Sequence, residues 1–276
     1  MPALGLGLGL ALSSGIRRLD PDAAAYIAAV RAAGGTVTAT QSAAINTFVV
    51  AGKAQNWWAQ VKRLYLPIWG VAAPNALDMV TRASGTFVGA VTHGAGFVQG
   101  DGTTGYLNTN TDFVTQGLSA STGLMFALTT LDATADFDRY LGAGNGADEA
   151  SLASRSIPRI DARFCGIGAG QVSLNTSSNT GVVVFSRLSG VRRLSLRKTS
   201  GVTQTSATNA DNGTLQSSNV LAMAFNNANS GVTMASASNA RFGAVGFGLG
   251  LSSTDTDNFT LALKTLWETC TGQTLP

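Results

Sequence analysis

From Pro67 to about Leu249 the chain is written as short apolar runs broken by turn residues, with no helical stretch between them. GTFVGAV, GFVQGDG, GYLNTN, GLMFALTTL, GVVVFSRLSG, VRRLSLRKTSG and NVLAMAFNN are β-branched or aromatic and separated by Gly, Asn or Asp. Such runs, recurring at intervals of roughly 8–15 residues, specify an antiparallel sandwich. Because strand side chains alternate, GLMFALTTL puts Leu124, Phe126 and Leu128 on one face.

Helical grammar is confined to the two ends. Asp20-Pro21 pairs an N-cap acceptor with a proline at the first helical position. Tyr26, Ile27 and Val30 form the apolar stripe, and Gly34-Gly35 ends it. Ile45, Phe48 and Val49 mark a second helix that closes at Gly52. A third is predicted from Asn56, with Trp57, Val61, Leu64 and Tyr65 on one face and Pro67 as its stop. The spacing of these aromatics points to packing rather than sugar stacking. Near the C-terminus Thr254 and Asp257 stand in capping-box spacing, Phe259, Leu263, Leu266, Trp267 and Cys270 make one stripe, and Gly272 supplies the stop. The expected division is an extended segment over 1–19, a helical module over 20–66, and a mainly β domain over 67–276 closed by a helix at about 254–271.

Residues 4–10 alternate strictly: Leu4, Leu6, Leu8 and Leu10 against three glycines. No Lys or Arg precedes Arg17, as a secretory signal would require, and the run falls far short of the ~20 apolar residues of a membrane helix. Neither a signal peptide nor membrane insertion is expected. Extended, the four leucines share one face and the other is bare backbone, the form of a docking strip for strand addition.

Charge narrows the function classes. Only 12% of residues are charged, half the usual ~25%, and the net charge is +3. Apart from one stretch the basic residues are scattered, which excludes a nucleic-acid stripe. The single histidine, His93, excludes a multi-histidine zinc site, and any Ser-His-Asp catalysis would have to run through it; in VTHGAGF it reads as a loop or edge histidine. Cys165 and Cys270 have no metal-ligand spacing and read as two free buried thiols, with a disulfide between them as the alternative. No cofactor is expected.

Three pieces together carry a resemblance. GFVQGDGTTGYLNT, VRRLSLRKTSG and ARFGAVGFGLGLSSTDTDNFTLALKTLWETCTG are similar to strands of concanavalin-like (laminin-G-like) jelly rolls. The preceding helical segment, with the Gly/Leu start, resembles modules of tailed-phage and gene-transfer-agent fibre or head-spike proteins. SSTDTDN departs from the pattern, standing where relatives often carry a Leu-Thr helix start. The resemblance implies a jelly-roll subunit on the surface of a phage or phage-like particle, homo-oligomeric as a trimer or a pentamer. It would be fastened to a base, capsid or tail protein through Leu4, Leu6, Leu8 and Leu10, and would bind a host-surface polysaccharide. A decoration protein without a ligand is the alternative on the same fold.

Two clusters are candidate sites. In VRRLSLRK the leucines should face the core, so Arg193 and Arg197 project outward, while Arg192 and Lys198 escape at the ends. Arginine forks suit carboxylates and phosphates, so the four cations could hold an acidic polysaccharide. Alternatively they belong to an ordinary solvated strand. Asp136 and Asp138 share one face of an extended DFD, within the ~5–9 Å that paired acids need in a capsule-degrading glycosidase. Asp136, Asp138, Asn145 and Asp148 are also hard-oxygen candidates for calcium. A loop capped by its own side chains accounts for the same residues. On balance neither an enzyme nor a metal site is expected.

Overall fold

The computed structural model describes residues 18–131, 138–145, 148–155, 159–165, 171–208, 213–227 and 238–276. The expected sandwich is present. One sheet runs β13 (Gly201–Thr208), β12 (Val191–Lys198), β11 (Gly181–Leu188), β6 (Thr122–Leu131), β16 (Arg241–Gly248), β4 (Phe97–Gly100) and β3 (Val91–Gly94), with β1 (Val61–Tyr65) also paired to β16. The other runs β10 (Gln171–Asn175), β9 (Arg159–Phe164), β8 (Glu149–Arg155), β7 (Asp138–Gly144), β14 (Asn219–Ala222), β5 (Tyr106–Asp112) and β2 (Thr86–Val88), with β15 (Asn226–Asn227) on β7. Pairing is antiparallel apart from the short β15–β7 contact.

A helical layer covers the outer face of the first sheet. Asp20 caps α1 (Pro21–Ala32) by accepting from the Asp22 amide, as its Asp-Pro start predicts. Thr38 and Gln41 form a capping box on α2 (Ala39–Ala54). After the single turn α3 (Ala72–Asn75), the C-terminal helix α4 (Ser253–Thr271) begins from Ser252 rather than Thr254 and ends on Gly272, whose φ of 69° suits a residue without a side chain. No helix among the described residues is long and apolar enough to cross a membrane.

Two cores result. Leu124, Phe126 and Leu128 of β6 and Val182 and Val184 of β11 face the helices, meeting Phe48, Trp57, Phe259, Leu263 and Trp267. Met125, Ala127, Val183 and Phe185 face the second sheet. The central strands are therefore buried on both sides, which explains why LMFAL and VVVF are continuously apolar.

The helix predicted from Asn56 is not formed. Asn56 adopts φ 63°, a 3-10 turn follows over Trp58–Gln60, and Val61–Tyr65 pairs with β16. A bulge between Val61 and Arg63 puts Val61 and Leu64 on the helix-facing side, while Tyr65 is buried on the other side between the sheets, so the three buried residues imitate a helical spacing.

Both cysteines are free and buried. Burial pushes the Cys165 thiol up to about 11 and that of Cys270 up to about 12, and it raises the Tyr26 and Tyr65 hydroxyls in the same direction. A pKa raised by folding makes stability flat below the unfolded-thiol value of about 8.5 and falling above it. Melting temperatures across the alkaline range should show that decline, and a thiol reagent at neutral pH should label the native protein far more slowly than the unfolded one.

Candidate functional site

Strands β8, β9 and β10 alternate strictly. Ala150, Leu152, Ile160, Ala162, Phe164, Val172 and Leu174 enter the core between the sheets. The intervening residues must point the other way: Glu149, Ser151 and Arg155 on β8, Arg159, Asp161 and Arg163 on β9, Gln171, Ser173 and Asn175 on β10. Antiparallel register sets Arg159 beside Asn175, Asp161 beside Ser173 and Arg163 beside Gln171. Arg139 on β7 joins the same face.

The charges form a ladder built around two carboxylates. Glu149 Oε1 accepts from Arg139 Nη1 at 3.2 Å, Arg163 Nη1 at 3.0 Å and Ser151 Oγ at 3.1 Å. Asp161 Oδ2 lies 2.9 Å from both Arg155 Nε and Arg159 Nη2, while its Oδ1 accepts from Ser173 Oγ at 2.7 Å. Arg163 Nε donates to Gln171 Oε1 at 3.3 Å, and Gln171 Nε2 to Ser173 Oγ at 3.1 Å. Arg139 also donates to Ser151 and stacks over Phe225, 4.8 Å from the ring centre, and burial lowers its pKa.

Exposure is graded across the ladder. The Glu149 and Asp161 side chains are 4% and 2% exposed, that of Arg163 is 17%, and that of Arg159 reaches 32%. Ser173 and Asn175, on the edge strand, are open. Arg159 of β9 thus comes furthest to the surface, beside β10, with Arg155 and Arg163 less open and the buried carboxylates holding them from below. That arrangement presents oriented donors to an anion. Four residues apart on neighbouring strands, Glu149 and Asp161 are separated by about 13 Å along the strand direction, wider than the acid pair of a glycosidase.

The residues singled out from sequence lie elsewhere. Leu4, Leu6, Leu8, Leu10 and Asp136 fall outside the described residues. Asp138 opens β7 and is 1% exposed. Asn145 follows the other end of that strand, about 23 Å away by strand length, so the calcium set does not converge on one point. Asn145 Oδ1 instead accepts from the Asp148 amide at 2.8 Å, and Thr214 Oγ1 donates to Asp148 Oδ2 at 3.4 Å: the self-capped loop. Among the described residues no group of three or more His, Cys, Asp or Glu side chains could hold a metal ion.

The basic strand also needs correction. Leu194 and Leu196 face the inter-sheet core as expected, but Arg192 shares their side at 1% exposure, beside the equally buried Arg187. The opposite side is covered by α4. Arg197 Nε donates to Thr260 Oγ1 at 2.9 Å and its Nη2 to the Asp257 carbonyl at 3.2 Å. Arg193 is half-buried near Ser252 at the start of α4, and Lys198 reaches Ser177 Oγ at 3.4 Å. The four cations are divided among the interior, the helix layer and the strand end, and do not make one receptor face. The sequence signal for the actual ladder was the alternation of charged with small or apolar residues in EASLASR and RIDARF.

No protein-family model matches the chain, and no curated protein matches its sequence. Among solved structures, a Trypanosoma rangeli sialidase in complex with 2,3-difluoro-KDN superposes with a TM-score of 0.50 at 12% identity, over 81% of this chain and 39% of that one. A Ruminococcus gnavus IT-sialidase CBM40 aligns with 59% of this chain and 93% of its own, at 12% identity and a TM-score of 0.38. This chain therefore spans well under half of the sialidase. The match overturns the expectation that the chain stands apart from enzymes, because the structure sharing its architecture is a glycosidase. At this identity the likeness is one of fold: a β-sandwich of the kind found in a sialidase.

Proposed function

We propose that the β8–β10 face binds an acidic glycan, with the carboxylate of the sugar seated on Arg159 and Arg163. The observation that carries this reading is Arg159. Its Nη2 is fixed by Asp161 at 2.9 Å, and about a third of the side chain is open beside Ser173 and Asn175. An oriented, partly exposed guanidinium next to hydroxyl and amide groups is the chemistry that recognises a carboxylated sugar. The sialidase of like fold is recorded with 2,3-difluoro-KDN, a nononic acid, which belongs to that ligand class. The fibre- and spike-like sequence segments support a setting on a phage or phage-like particle, where the module would contact host-surface glycans.

Titration calorimetry with sialylated, uronic-acid and neutral oligosaccharides tests the site. Acidic glycans should bind, and Arg159→Ala should weaken them by about tenfold to a hundredfold, the effect of losing a hydrogen bond to a charged group. Asp161 keeps Arg155 and Ser173 in that variant, so the melting temperature should fall by only a few degrees and the protein should stay folded. Equal binding of neutral and acidic glycans, or no effect of Arg159→Ala, would refute the assignment. Mass spectrometry of the recovered glycan reads cleavage, and a shortened product would make the face part of a glycosidase.

A further inference from the structure

His93, the chain's single histidine, stands where the edges of the two sheets meet α3. Its strand β3 ends the first sheet, and β2, joined to it through Gly89 and Ala90, ends the second. The imidazole packs edge-on against Phe87 of β2, with ring centres 4.6 Å apart at 83°. Its Nδ1 lies 3.1 Å from Nδ2 of Asn75, the last residue of α3. Asn75 is fully buried, and its orientation is dictated from behind: the Trp69 amide, which can only donate, lies 2.9 Å from Asn75 Oδ1. Trp69 in turn bridges to Ala95, just beyond β3, and its indole Nε1 donates to the Tyr26 hydroxyl of α1 at 3.3 Å. With Oδ1 committed, Asn75 Nδ2 donates to the histidine, and Nδ1 is the accepting nitrogen of a neutral ring.

We infer that this contact is an acid-sensitive latch: protonation of His93 opens the edge of the sandwich where β2, β3 and α3 meet. An imidazolium carries a hydrogen on both ring nitrogens, so Nδ1–H would face the N–H donors of Asn75. Turning the Asn75 amide over cannot relieve this, because its NH2 group would then face the Trp69 amide. The ring is half-buried, so its charged form gains water by swinging away from Asn75 and Phe87. Among the described residues no neighbouring charge compensates. α3, β2, β3 and β4 carry no other titratable side chain. β5, which pairs with β2, brings Tyr106 opposite Val88, and Asp112 at its far end, bound to Thr115. Asp78 beyond α3 is taken up by the Leu64, Val80 and Thr81 amides, and Asp101 beyond β4 by those of Thr103, Thr104 and Gly105. Arg241 of β16 lies over Phe97, on the face of β4 away from Val98, the register partner of His93. Burial accordingly lowers the His93 pKa. With the folded-state value below the unfolded one, the latch contributes fully above the ordinary histidine value of about 6.5 and is lost as the pH falls through the folded value. The glycan site on β8–β10 lies at the far edge of the second sheet, so the latch acts apart from it.

Proton NMR of the full chain tests this, because a single histidine gives one titrating imidazole signal. Between about pH 8 and pH 5 the signal should titrate below the ordinary histidine value. Over the same range amide exchange in β2 and β3, corrected for its intrinsic pH dependence, should quicken severalfold while that in β8 and β9 holds. Asn75→Asp keeps an acceptor for the Trp69 amide and sets a carboxylate against the ring, so the signal should then titrate above the ordinary value. His93→Gln offers a neutral acceptor at every pH and should abolish the acid-induced exchange. Titration at or above the ordinary value in the unaltered chain would overturn the inference, and that measurement stands even where a variant fails to fold. So would a signal unmoved by Asn75→Asp, or exchange that quickens equally in His93→Gln or throughout both sheets at once.

Discussion

Trp267→Ala should lower the free energy of unfolding by roughly 3–5 kcal/mol, the range for deleting a large buried aromatic. Three contacts make this position costly. The indole is 1% exposed within the core shared by helices and sheet. Its Nε1 donates to the Gly96 carbonyl at 2.9 Å, tying α4 to the turn that precedes β4. It also fills a space reserved for it in the sheet, since a methyl group on Gly243 would lie 2.3 Å from that nitrogen. Alanine would leave a cavity and an unpaired carbonyl where no neighbour can collapse without moving β16. Leu261→Ala on the same helix, at an exposed position, should stay within about 0.5 kcal/mol. Urea unfolding of both variants checks the contrast, and equal losses would mean that α4 is not anchored through Trp267.

The C-terminal helix was legible because one mechanism dominated it. Phe259, Leu263, Leu266, Trp267 and Cys270 repeat at helical spacing and all are buried, with Gly272 where the stop should be. Val61, Leu64 and Tyr65 show the same spacing for another reason, a bulged strand buried on both sides, and periodicity alone cannot separate the two. VRRLSLRK illustrates a different limit. Alternation correctly assigns which residues share a side, but not whether a helix covers the other side or whether a cation is taken into the interior. The candidate site was legible in part. EASLASR and RIDARF alternate visibly, yet their meaning depends on the register that brings Glu149 to Arg163 and Asp161 to Arg155. That pairing is a long-range property of the sheet.

Glu149→Leu should be as costly as the tryptophan change, about 3–5 kcal/mol, because it removes one side of a buried ion pair and leaves the other behind. Arg139 and Arg163 both direct Nη1 at Glu149 Oε1, and Ser151 donates to the same oxygen. Adding Arg139→Met should restore much of the loss, since an apolar pair of similar size can replace a buried ion pair with little penalty. The compensation is the informative quantity. If the double variant is as unstable as the single one, Glu149 acts through Arg163 and the ladder is a continuous network reaching the surface. If stability returns while acidic-glycan binding stays weakened, the buried carboxylate orients Arg163 for the ligand in addition to holding the sheet. Recovery of both would confine the ladder's recognition chemistry to Arg159 and Asp161, with the Glu149 half serving the fold.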